Sequence, residues 1–132
     1  MKLKISKEGV FTPKFNDNTK LSSTDQITVR YKAPTVAIKN RCRQKPQGKA
    51  ISNADGKVEH MEIVIDKDEI STLREMLVSI SNCSYEDDEG KSHSIASTQD
   101  LINAPIEFEP LLKEIVAEFD RLLDHTEINE KN

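Results

Sequence analysis

The stretch Phe108-Glu109-Pro110-Leu111-Leu112-Lys113-Glu114-Ile115-Val116-Ala117-Glu118-Phe119-Asp120-Arg121-Leu122-Leu123 carries the strongest periodic signal in the chain. Its large apolar residues recur at three- and four-residue steps, while Glu114, Glu118, Asp120, Arg121 and Asp124 take the other side. That spacing predicts an amphipathic helix over about 107–125 with one broad face to bury. Pro110 fits only the first turn, where a missing N–H costs nothing. His125, at the far end, would complement the helix dipole.

A second helix is predicted over about 67–82. Asp66-Lys67-Asp68-Glu69 has the form of a capping box, and Ile70, Leu73, Met76, Leu77 and Ile80 make one stripe behind it. Leu73, Leu77, Ile115 and Phe119 lie at the centres of the two stripes and are the expected core. Thr98 to Ile102 reads as one further helical turn, capped by Ser97 or Thr98 and ended by Ala104-Pro105.

Strands are expected ahead of these helices. Leu3, Ile5, Val10 and Phe11 suggest a short strand broken at Gly9, followed by a turn over Asn16-Asp17-Asn18. Ile27, Val29 and Tyr31 alternate with polar residues, as one face of a half-buried strand does. Thr35 could cap a weak helix from Val36 to Lys45, with Val36 and Ile38 as its apolar contacts. Lys49-Ala50-Ile51 and Val58 to Ile65 flank the turn residues Asn53-Ala54-Asp55-Gly56 and predict a hairpin. The fold class is therefore α+β: a small, mainly antiparallel sheet from the N-terminal half with two main amphipathic helices packed on it.

The chain has 132 residues, enough for one modest core, and is expected to form a single domain over 1–126 with a polar tail at 127–132. Hydrophobic content is 36% and charged content 32%, with no Trp, which disfavours an aromatic platform for bases or sugars. A net charge of −4 also disfavours nucleic acid, whose phosphates draw Lys and Arg. The one basic stretch, Lys39 to Lys45, lacks interleaved aromatics and reads as a solvated face or a docking surface. Cys42 and Cys83 lie far apart with no His at ligand spacing, and two free thiols suit a reducing compartment. No apolar run is long enough to span a membrane, so a cytoplasmic protein is expected.

Chemistry is not signalled. Ser92-His93-Ser94 sits in a polar stretch without a buried acid to orient the imidazole. Four glycines cannot build a phosphate cradle. Glu86-Asp87-Asp88-Glu89-Gly90-Lys91 has consecutive acids and Ser97 where a calcium loop needs its closing Glu, so it reads as a plain turn. No catalytic residue, metal site or cofactor is expected. What remains is apolar surface. The last helix is taken as centred on Leu111, Ile115, Phe119 and Leu122, which puts Leu112, Val116 and Leu123 at its edge as candidate partner-binding residues. Arg41 and Arg43 join them from the basic stretch.

Three features together resemble the tail assembly chaperones of long-tailed bacteriophages and prophages. They are Phe11-Thr12-Pro13-Lys14-Phe15-Asn16-Asp17-Asn18 leading to Ile27–Tyr31 and Ala33-Pro34-Thr35; the acidic turn Asp87 to Lys91 after an amphipathic helix; and Thr98–Ile102 with Asn103-Ala104-Pro105 before a closing helix. Asp17 stands where that family more usually has Gly, Tyr85 holds the position of an aromatic often seen before the acidic turn, and Arg41 to Ala54 has no counterpart. The resemblance implies a non-catalytic protein of the bacterial host cytoplasm that binds the tape measure protein and tail-tube protein during tail assembly, with self-association open. The alternative is a structural protein retained in the tail or neck.

Overall fold

The computed structural model describes residues 1–42, 47–52, 58–64 and 69–130. In chain order the elements are Glu8–Phe11 (β1), Thr28–Lys32 (β2), Val36–Cys42 (α1), Gln47–Ser52 (β3), Val58–Val64 (β4), Glu69–Met76 (α2), Leu77–Ser81 (β5), Ser84–Glu86 (β6), Ser92–Ser94 (β7), Thr98–Ile102 (α3) and Glu109–Glu130 (α4). A 3-10 turn spans Phe15–Lys20, and another, Ile106–Phe108, leads into α4. The class is the expected α+β. Antiparallel pairs build three small sheets, ordered β1-β2-β5, β3-β4 and β6-β7, with the helices around them.

The predicted helix over 67–82 is corrected. It begins by Glu69, but after Met76 the chain passes directly into β5, which pairs with β2. Leu77 and Ile80 are three apart, a helical spacing, and in a regular strand they would face opposite ways. Arg30 pairs with Ser79 and Tyr31 with Leu77, so Val78 is an extra residue on β5. A bulge of this kind resets the alternation. Leu77 and Ile80 both enter the core, and Val78 stays 37% exposed. β-branched Val78 and Ile80 also favour the strand.

The hairpin β3-β4 forms as read, with Ala50 opposite Met61; its turn residues Asn53 to Gly56 lie outside the described residues. Thr35 caps α1, its Oγ1 accepting from Ile38 N–H at 3.1 Å. Ile38 is buried there and Val36 is not. Ser97 caps α3 by accepting from Asp100 N–H. Asp66 to Asp68 of the capping box lie outside the described residues. The first strand is shorter than predicted. Leu3 and Ile5 belong to no element and stand 71% and 74% exposed. Gly9 does not break β1. It faces Tyr31 on β2, and a Cβ there would come within 2.3 Å of that ring, so the glycine lets the aromatic lie across the strand.

The core gathers Val29, Leu73, Met76, Ile95, Leu111, Ile115 and Phe119, all at most 1% exposed. Leu77 completes the set of four expected there. Phe108, ahead of α4, touches Phe15 at 5.8 Å and Tyr85 at 5.7 Å between ring centroids, tying the 3-10 turn and the β6-β7 hairpin to the helix. Pro110 sits in the first turn of α4, as its chemistry demands.

Candidate protein-binding surface

The residues predicted at the edge of the last helix do not form an exposed patch. Val116 is 5% and Leu123 1% exposed; only Leu112 is half-buried. The placement of the stripe was off. Leu111, Ile115, Phe119 and Leu123 follow at four-residue steps and are all buried, with Val116 beside them, so the centre lies nearer Phe119 and Leu123 than Leu122. Leu122, like Leu112, is left partly open. The apolar face of α4 is mostly consumed by the domain itself.

Arg41 is exposed and already engaged. Its Nε and Nη2 donate to Glu75 Oε1 and Oε2 at 2.8 and 2.9 Å, a two-pronged pair that ties α1 to α2. That bonding pushes the Arg41 pKa up and holds the Glu75 carboxyl below its usual range. Arg43 lies outside the described residues. Arg41 and Leu112 therefore belong to different contacts: Leu112 lines a cleft that Arg41 does not border.

That cleft encloses about 300 Å³ and opens between the starts of α2 and α4. Its apolar lining includes Ile70, Leu101, Ile102, Ile106 and Leu112, with Glu69 and Lys113 beside them. Both aliphatic residues lining it near the surface are exposed, Ile106 at 73% and Ile70 at 41%. Lys113 Nζ donates to both Glu69 oxygens, at 2.8 and 2.9 Å, and this bond raises the Lys113 pKa. The ion pair bridges α2 and α4 at the rim. An apolar hollow under a charged rim is the anatomy of a small protein-binding site. Ile70 belongs to the predicted stripe of the second helix, whereas Ile106 is an isolated aliphatic after Ala104-Pro105, outside any periodic run.

A larger cleft, about 560 Å³, lies between the 3-10 turn, the loop into β6 and the start of α4. Two of its polar side chains, Asn18 and Asn82, already serve the fold. Asn82 Nδ2 donates to the carbonyls of Thr24 and Gln26, both at 3.0 Å, and Asn18 holds Ile27.

The acidic turn sits on the β6-β7 hairpin, which no periodicity in the sequence signals. Asp87 Oδ1 accepts from the N–H groups of Glu89 and Lys91, each at 2.9 Å, and its Oδ2 meets His93 Nε2 at 2.9 Å. The His93 ring stacks on Tyr85 at 4.9 Å. Ser92 and Ser94 flank His93 on β7 and so point to the opposite face of the strand, which removes the Ser–His reading. Among the described residues there is no group of three metal-ligating side chains and no helix long and apolar enough to cross a membrane. Cys42 is half-buried and Cys83 buried, both as free thiols, and burial pushes both pKa values up. Comparison of the chain with models of protein families, with curated proteins and with solved structures finds no match.

Proposed function

We propose that this chain is a non-catalytic protein-binding module, acting in the cytoplasm of a bacterial host as a tail assembly chaperone for a long-tailed phage or prophage. The observation that supports the binding role is the cleft between α2 and α4, lined in part by the exposed Ile70 and Ile106 and by the Glu69–Lys113 pair. A hollow of this size takes one or two apolar side chains. It suits an amphipathic helix presenting aliphatic anchors at helical spacing, as an apolar stretch of a tape measure protein would. The tail-assembly role rests on the ordered resemblance running from Phe11 to the closing helix.

The test is co-expression with the tape measure protein of the same tail operon. The wild-type chain should keep that protein in the soluble fraction and be recovered with it. Ile106→Glu and Ile70→Glu should lose both effects while remaining folded. A tape measure protein equally soluble with and without the chain would end the chaperone reading, and recovery of the chain in purified particles would assign it to the tail structure instead.

A further inference from the structure

Two clefts meet at Phe108, which lines both the one between α2 and α4 and the larger one of about 560 Å³. The segment 106–110 contributes to each: Ile106 and Glu109 to the first, Glu107 and Pro110 to the second. The larger cleft has the size of a ligand site, and its lining combines two kinds of group. Phe15 and Phe108 supply aromatic rings, 5.8 Å apart between centroids. Asp25 and Glu107 supply carboxylates, both on exposed residues. No Lys, Arg or His stands among the described residues that line it, and among the described residues neither carboxylate is in an ion pair. Asp25 Oδ2 accepts one bond, from Ser22 Oγ at 2.8 Å, and a carboxylate has room for several. Carboxylates beside aromatic rings, with no cation of the chain's own, are the complement of a cation with a flat apolar face.

We propose that the larger cleft takes an arginine side chain of the same partner helix whose aliphatic residues enter the cleft between α2 and α4. The inference rests on the reading of that first cleft as the partner site, and it adds what the partner must carry: a guanidinium beside its apolar anchors. Arginine fits better than lysine because a planar guanidinium stacks on a ring while donating to carboxylates in its own plane. A lysine ammonium brings the charge without the flat face. The two hollows share Phe108, so a helix lying over the segment 106–110 meets both. The net charge of −4 adds a longer-range attraction for a basic segment. Charge then sets which apolar helices bind, since an acidic one would set its carboxylates against Asp25 and Glu107.

Two probes test this on the full chain. In amide-detected NMR, N-acetyl-arginine methylamide should shift the resonances of Asn16, Asn82 and Phe108 saturably, and its uncharged citrulline counterpart should not. Asp25→Asn with Glu107→Gln should abolish those shifts with an unchanged circular dichroism spectrum, since both residues are exposed. The second probe is a set of alanine-rich helical peptides with two leucines a turn apart and one arginine placed at successive positions along the next two turns. The best of them should bind about tenfold more tightly than its citrulline counterpart. The carboxylate double variant should remove that advantage alone, whereas Ile70→Ser with Ile106→Ser should weaken every peptide. No arginine shifts in the wild type overturns the inference, and so does an arginine preference that the carboxylate variant leaves intact. Peptides that bind through Ile70 and Ile106 with no gain from arginine overturn it too, but leave the first cleft as the partner site. Arginine shifts with no peptide bound overturn the shared partner, and with it the reading of the first cleft.

Discussion

Asn18 holds both backbone groups of Ile27: its Oδ1 accepts from Ile27 N–H at 2.6 Å, and its Nδ2 donates to the Ile27 carbonyl at 3.0 Å. One side chain thus imitates a neighbouring strand at the point where the chain enters β2. The same Nδ2 donates to the Pro13 carbonyl at 2.8 Å, closing the loop on itself. Asn18 is 1% exposed, so water cannot replace these bonds. Asn18→Ala should cost about 2–5 kcal/mol, because each buried group left without a partner costs about 1–3 kcal/mol. Asn18→Asp should be at least as harmful, since a carboxylate would meet two carbonyl oxygens. Urea denaturation followed by circular dichroism measures both.

Just before Asn18 the backbone turns left-handed, with φ of 51° at Asn16 and 59° at Asp17. A side chain in that region is tolerated best when it is Asn or Asp, and glycine carries no steric penalty there, which outweighs its larger loss of chain freedom on folding. Asp17 is exposed, and its ion pair with Lys20, at 3.6 Å between largely open side chains, contributes little. Asp17→Gly should therefore raise stability by about 0.5–1 kcal/mol, and Asp17→Val should lower it by about 1–2 kcal/mol. Equal midpoints for the three proteins in the same urea titration would contradict this.

Elements came through in the sequence where one force dominated. The last helix shows its periodicity over four turns, and the caps at Thr35 and Ser97 are local bonds between near neighbours. The strand at Leu77–Ser81 was hidden because its bulge at Val78 restores a spacing that reads as helical, and only pairing with β2 decides between the two. β6 and β7, three residues each and mostly polar, owe their existence to the Asp87 loop and the Tyr85–His93 stack, which no window of hydrophobicity reports. The exposure of the last helix's apolar residues was hidden for a related reason. A stripe of eight apolar residues does not say which of them the rest of the fold will cover, and Val116 and Leu123 turned out to be covered.

Asp87 makes a pH dependence local to the β6-β7 hairpin. Its carboxyl is held below the ordinary carboxylate range by the bond from His93 first, then by the N–H groups of Lys91 and Glu89. A folded-state pKa below the unfolded one means the contribution is fully present above the unfolded value, about 3.9, and is lost as pH falls through the folded value. The wild-type hairpin should therefore keep its amide chemical shifts from neutral pH down past the ordinary carboxylate range, then lose them in stronger acid. In Asp87→Asn that acid step should vanish. Since both oxygens of Asp87 are already bonded, millimolar calcium should shift neither the hairpin resonances nor the melting temperature. A calcium-induced rise of several degrees would contradict the plain-turn reading.

Val116 and Ile106 separate the core from the proposed binding surface by one experiment. Both are aliphatic, but Val116 lies under the α4 packing at 5% exposure and Ile106 stands 73% exposed on the wall of the cleft. Val116→Glu places a carboxylate under the helix packing, and an uncompensated buried charge costs about 3–5 kcal/mol, a large share of the stability of a domain this small. Ile106→Glu keeps its new charge in water and should change stability by no more than about 0.5 kcal/mol. Melting curves should therefore show Val116→Glu strongly shifted or unfolded and Ile106→Glu unshifted. In co-expression with a tape measure protein the order of interpretation reverses. Loss of solubilisation by Val116→Glu would report only on folding, whereas loss by the folded Ile106→Glu would locate the partner at the cleft. Ile106→Ala refines the point, since it removes the anchor without adding charge and should weaken partner recovery less than Ile106→Glu does. Full retention of solubilisation by both Ile106 variants, each with a wild-type melt, would move the partner away from the cleft between α2 and α4.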